Sequence, residues 1–147
     1  MALAAACTPP SPASEPLPEA GANHGLREIP LIVRSRDRDH SFTVEVAASL
    51  PEQQTGMMFR RSLSPDRGML FPYSPPQPVG FWMKDTYIPL DMIFIRANGT
   101  IARVATAMPH SLDNTSSGEP IVAVLEISGG RAAELGIAEG DRVDYRL

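Results

Sequence analysis

The chain has a single cysteine, Cys7, among 147 residues, so no disulfide can close within it. That cysteine and three dispersed histidines also exclude a zinc site built from Cys and His. No apolar run approaches the ~20 residues that span a bilayer as a helix. Lys and Arg number 13 against 17 Asp and Glu, giving a formal net charge of −4, and they are scattered. This leaves no electrostatic footprint for a nucleic acid. No glycine-rich loop that could cradle a phosphate is present, and no Ser-His-Asp or Cys-His arrangement can be recognised. Aromatic residues are few, at 6%, and Trp82 is the only tryptophan. There is no internal repeat.

What is present suits a single globular domain with a real core, at 43% hydrophobic and 20% charged residues. Proline is abundant, with 15 residues concentrated mostly in the first third and around Pro72–Pro78. Residues 1–25 read as a lipoprotein-like N-terminal segment and Pro-rich linker, and residues 26–147 as one globular β domain. Leu3-Ala4-Ala5-Ala6-Cys7 resembles the lipobox of bacterial lipoproteins, with the Leu one place early and no basic or apolar signal region ahead of it. Thr8–Pro16 has the composition of a spacer that cannot pack a core. The expectation is lipidation at Cys7 and a place in the periplasm or outer cell envelope, the lipid anchor being the only membrane contact.

Along the domain, Ile29–Arg36 reads as a strand and Arg36–Asp39 as a charged hairpin tip. Ser41–Ala47 alternates with period two, placing Phe42, Val44 and Val46 on one side and Thr43 and Glu45 on the other. Ser49-Leu50-Pro51-Glu52 is a helix start with capping-box spacing, leading to a helix that ends near Gly56. Gly68–Phe71 reads as a short buried strand and Pro72–Pro78 as a loop. Further strands are expected at Gly80–Lys84, Leu90–Ile95, Thr100–Ala107, Ile121–Ile127 and Asp141–Tyr145, with a second short helix at Gly129–Leu135. Asn98-Gly99 favours a type I′ hairpin turn, and Met108–Pro120 a long polar loop. Hairpin turns outnumber crossovers. The expected fold is therefore mainly β, a mostly antiparallel, barrel-like sheet with two short helices, a β-sandwich being the alternative.

Phe81–Phe94 is the stretch around which the chain is organised. It interleaves apolar residues with Lys84, Asp85, Thr86 and Asp91, and Pro89 divides it into two extended pieces. Trp82, with apolar neighbours, is expected to be mostly buried.

Four motifs in order resemble the domain-of-unknown-function 192 family, a group of small bacterial and archaeal proteins. They are Gln54–Arg60, Gly68–Phe71, Phe81–Thr86 with Ile88–Asp91 and Phe94, and Val124–Ile127 with Gly130, Gly136, Gly140 and Asp141. Asp85 stands where the family usually has Asn, and an ionised Asp cannot donate a hydrogen bond. Met57 stands where Leu is commoner, a near-neutral exchange in packing. The resemblance implies a mainly-β fold and frequent export; it implies no reaction.

The candidate ligand-binding residues are Arg60, Trp82, Lys84, Asp85, Thr86, Asp91 and Glu126, with His110 also of interest. An aromatic face with carboxylates and cations around it can hold a small polar ligand such as a saccharide. The same charges could instead pair among themselves, since a buried charge must be compensated. Asp91 and Glu126 could alternatively serve as the acid and base of a hydrolase. A third reading is an interaction domain that docks on an envelope protein through Pro72–Pro78. Of the seven methionines, Met57, Met58, Met69, Met83, Met92 and Met108 lie among Leu, Phe and Ile, as core filler does. No metal and no cofactor are expected.

Overall fold

A computed structural model describes residues 25–36 and 38–147; Cys7 and the spacer lie outside the described residues. Nine strands and two helices are present among them. They are β1 (Glu28–Ser35), β2 (Arg38–Val46), α1 (Leu50–Thr55), β3 (Arg67–Gln77), β4 (Gly80–Phe81), β5 (Leu90–Ile95), β6 (Ile101–Ala107), β7 (Thr115–Ser116), β8 (Ile121–Ser128), α2 (Arg131–Leu135) and β9 (Arg142–Tyr145).

Seven strands form one sheet in the order β6-β5-β8-β3-β2-β1-β9, while β4 and β7 pair as a separate ribbon. All pairings in the large sheet are antiparallel except β2 with β3, which are parallel and joined across α1. The two outer strands meet at one corner. The Ile101 amide donates to the Asp141 carbonyl at 2.8 Å, and the Val143 amide to the Gly99 carbonyl at 2.8 Å. The sheet is thus barrel-like, with closure confined to that corner.

Each face of the sheet carries its own core. One face gathers Leu31, Val33, Phe42, Val44, Ile93, Leu125 and Ile127 with Ala132 and Ile137 from the α2 region. The other gathers Met57, Met69, Phe71, Met83, Leu90, Met92, Phe94 and Val124. Every residue of β5 is buried as a result, which is why Leu90–Ile95 reads as an unbroken apolar run apart from Asp91.

Three local expectations need correction. The strand at Gly68–Phe71 continues through Pro72–Gln77 instead of giving way to a loop. β2 pairs with β3 only as far as Leu70, so beyond that point the prolines meet no second neighbouring strand that would require their missing N–H. The strand expected over Gly80–Lys84 is confined to Gly80–Phe81, held by β7 from within the long polar loop. The turn at Asn98-Gly99 has a positive φ at Gly99 alone, 83°. The Gly99 amide donates to the Arg96 carbonyl at 2.9 Å, the pattern of a type I turn followed by a glycine bulge. Asn98 spends its side-chain oxygen on the Thr100 amide and hydroxyl, at 3.0 and 2.7 Å.

The first helix starts as its sequence requires. Ser49 caps it, accepting from the Glu52 amide at 3.3 Å, and the Glu52 carboxylate accepts from the Ala48 and Ser49 amides at 2.8 Å each. Those backbone donors hold the Glu52 carboxyl below its ordinary range.

Candidate functional site

A cavity of about 430 Å3 lies over the second of these faces. Its rim and walls come from the end of α1 and the turn after it (Gln53, Gln54, Thr55, Gly56, Met57, Met58), from β3 (Phe71, Tyr73) and from the segment at 80–86 (Phe81, Trp82, Met83, Thr86). Leu90 and Glu126 complete the lining.

Local hydrogen bonding fixes these walls. Gln53 donates from Nε2 to the carbonyls of Ala47 at 3.1 Å and Pro72 at 3.0 Å, pinning α1 to the residue after β2 and to the middle of β3. Gly56 ends the helix with a φ of 47°, and a Cβ there would come within 3.5 Å of the Phe71 ring. The segment at 79–89 is clamped from both sides. The Phe59 amide donates to the Asp85 carbonyl at 2.8 Å, the Met83 amide to Ser111 at 2.8 Å, and the His110 amide to Thr86 at 3.1 Å. Phe59, Asp85 and His110 all adopt positive φ, at 65°, 52° and 64°. These three non-glycine residues in a sparsely populated region lie behind the 80–86 wall, outside the cavity lining. At Asp85 the conformation also accounts for the residue type, because Asp and Asn both tolerate it.

The floor is Glu126. Its residue is only 3% exposed. Strand register places it between Met69 of β3 and Met92 of β5, with Glu45 of β2 beyond Met69 on the same face. Arg60, itself nearly buried, forms an ion pair with Glu45. Among the described residues no side-chain or backbone donor reaches the Glu126 carboxyl. No sealed, unpaired polar side-chain atom is found there either, so its oxygens keep access to the cavity. Burial pushes its pKa up to about 8, and the Arg60 charge only partly offsets that. Tyr73 is pushed up to about 12, by burial first and then by the Glu126 charge.

The remaining candidates divide. Thr86 is buried in the wall, its hydroxyl donating to the Lys84 carbonyl at 3.1 Å. Trp82 is 53% exposed, contrary to the expectation of burial. Alternation along the extended segment turns Phe81 and Met83 inward and Trp82 toward the mouth of the cavity. Lys84 lies outside, its Nζ 5.4 Å from the Trp82 ring centre. His110 packs beside Tyr87 at the outer rim, with ring centres 5.4 Å apart.

Asp91 lies on the opposite face of the sheet from Glu126, since it is in register with Ile127 while Glu126 is in register with Met92. It is 1% exposed and accepts from Thr106 Oγ1 at 2.6 Å, the Gly130 amide at 3.0 Å and the Ala132 amide at 2.8 Å. It thereby caps the start of α2, where Gly130 has no side chain to do so. The structure does not bring Asp91 and Glu126 together across a cleft, as a two-carboxylate hydrolase would require, nor does it place Asp91 beside Arg60 or Lys84. Sequence reasoning overlooked Tyr73, Gln53 and Glu45. Tyr73 was hidden by the prolines around it. Glu45 sat on the polar side of an alternating strand, a face that the residues after α1 cover.

Comparison with known proteins bears on the whole domain. The chain resembles a crystal structure of a candidate transcription regulator from Sinorhizobium meliloti 1021, at 39% identity and a TM-score of 0.79, over 82% of this chain and 95% of that one. It also resembles a protein of unknown function from Novosphingobium aromaticivorans DSM 12444, at 38% identity and a TM-score of 0.80, over 92% and 93% of the two chains. A search of curated proteins finds no match. The model of DUF192, described as “Uncharacterized ACR”, matches residues 31–145, so this chain belongs to the DUF192 family.

Proposed function

We propose that the domain is a binding module for a small polar ligand, a saccharide being the leading class, and that the cavity over Glu126 is its site. The observation that carries this reading is a buried carboxyl with no hydrogen-bond or ion-pair partner among the described residues, open to a cavity of about 430 Å3. That volume falls within the range of about 300–1,000 Å3 of small-molecule sites. Such sites combine apolar and aromatic walls with a few convergent polar groups. Here the walls are Phe71, Phe81, Trp82 and Met83, and the polar groups are Gln53, Gln54, Thr55, Thr86 and Glu126. Sugars suit both, stacking an apolar ring face on an aromatic and offering hydroxyls to amides and carboxyls. The candidate set from the sequence contracts to Trp82, Thr86 and Glu126 at the cavity. Arg60 stands behind it, and Lys84 and Asp85 at its outer edge.

Trp82 makes the test direct, because the only tryptophan lines the cavity. Titrate mono- and disaccharides, nucleosides and amino acids against Trp82 fluorescence, and measure the melting temperature in parallel. A true ligand shifts the emission and raises the midpoint by mass action. No response from any probe at millimolar concentration would refute the reading.

The envelope location and the lipid anchor at Cys7 belong to the same proposal, resting on the lipobox-like residues and the Pro-rich spacer. Fractionation of cells expressing the natural gene tests them. A soluble, unlipidated product from both the natural sequence and Cys7→Ala would overturn this part.

A further inference from the structure

We propose that the ligand of this cavity carries an ammonium group, seated against the Glu126 carboxylate and between the aromatic walls; this rests on the binding site proposed above. The buried ionisable groups on this part of the sheet are Glu45, Arg60 and Glu126, two acids and one guanidinium. Arg60 is committed to Glu45. Among the described residues no cation forms a hydrogen bond or ion pair with Glu126, so once ionised its carboxylate has no partner in the site. The other titratable group facing it is Tyr73, which is neutral near pH 7 and presents a ring.

The walls favour an organic cation over other partners for that carboxylate. Phe71, Tyr73, Phe81 and Trp82 line one cavity. Aromatic faces attract ammonium groups, more strongly when the pair is shielded from water. Among the described residues no cluster of three His, Cys, Asp or Glu side chains is available to hold a metal ion. A neutral ligand would leave Glu126 protonated, with no partner for the ionised carboxylate. An ammonium ion would supply that partner and, with its carbon framework, use the apolar walls. An amino sugar or a small arylalkylamine has this chemistry.

Binding then has a proton signature. Glu126 titrates near pH 8 in the free protein, so at lower pH an arriving ammonium must expel a proton. Below that value amine affinity should rise with pH, by up to about tenfold per unit. Above it, affinity should level off until the amine itself loses its charge.

The experiment compares two matched pairs at pH 7, where both amines are mainly ammonium ions, glucosamine with glucose and benzylamine with benzyl alcohol, by calorimetry and Trp82 fluorescence. Wild type and Glu126→Gln are measured side by side, and the calorimetry is repeated at pH 6.5 in two buffers of different ionisation enthalpy. The expected result is that in at least one pair the amine binds about tenfold or more tightly than the alcohol. That preference should vanish in Glu126→Gln, and protons should be released on binding at the lower pH. Equal affinity within both pairs, or an amine preference that survives in Glu126→Gln, overturns the inference and leaves the binding site standing. No binding by any of the four overturns the inference, and the binding site falls with it only when the saccharides, nucleosides and amino acids above also fail.

Discussion

Glu126→Gln should stabilise the protein by an amount that grows with pH. The folded state holds this carboxyl at about 8 against an ordinary value of 4.5, chiefly because burial disfavours the charged form. Between those two values the unfolded chain has released the proton while the folded chain retains it. Stability must therefore fall as pH rises through that window, then level off above the folded value. At roughly 1.4 kcal/mol per unit, protonating Glu126 costs about 3 kcal/mol at pH 7, and burying it ionised at pH 9 costs about 5 kcal/mol. Near pH 4.5 the contribution is close to zero. Glutamine has no ionisation to lose, so these figures are the expected gain of the variant over wild type, apart from a constant offset for the amide. The assay is urea denaturation of both proteins at pH 5, 7 and 9, followed by circular dichroism. Taking the difference between the two cancels titration elsewhere. Tyr73 supplies an independent check: removing the Glu126 charge should lower its phenol from about 12, measured by ultraviolet titration. A stability difference that stays flat from pH 5 to 9 would refute the claim that Glu126 is buried without a compensating donor.

Two further variants separate wall from scaffold. Asp91→Ala should destabilise by about 3–5 kcal/mol, the range for removing one member of a buried charged network, because it strands the Thr106 hydroxyl and the Gly130 and Ala132 amides; denaturant midpoints near wild type would contradict the capping role. Trp82→Ala should lower stability by no more than about 1 kcal/mol, well short of the 3–5 kcal/mol of a buried aromatic, while weakening any ligand that shifts wild-type fluorescence. A large loss of stability would place Trp82 in the core after all.

Most of the sheet was legible because its strands obey simple rules. β5 and β8 are covered on both faces, so they appear as apolar runs, and β1 and β2 alternate. The capping box announced α1. What was misread has specific causes. Proline signals a break only where the strand has a neighbour needing its N–H, and β3 loses one such neighbour after Leu70. β4 and β7 are two residues each, too short for periodicity to register. Trp82 was judged by its neighbours instead of by alternation, although period two sets it opposite Phe81 and Met83. The site was legible only in its members. Strand register decides that Asp91 and Glu126 face apart, and register across β3, β8 and β5 is a long-range property absent from local sequence.

Of the buried carboxylates, Asp91 and Glu126 now point in different directions. Asp91 has every donor that burial of a charge demands, and those donors open a helix that would otherwise lack a cap, so folding alone explains it. Glu126 stands in a central strand between Met69 and Met92, where a leucine or methionine would fill the space without desolvating an acid. Nothing in the fold needs its charge, and stability would be higher without it. Its neighbours nevertheless surround it with a cavity: α1 pinned by Gln53, and the segment at 79–89 clamped by the amides of Phe59 and His110, both at positive φ. A costly acid at the floor of an aromatic-walled cavity is accounted for by what enters the cavity, and the sign of that charge indicates a cation.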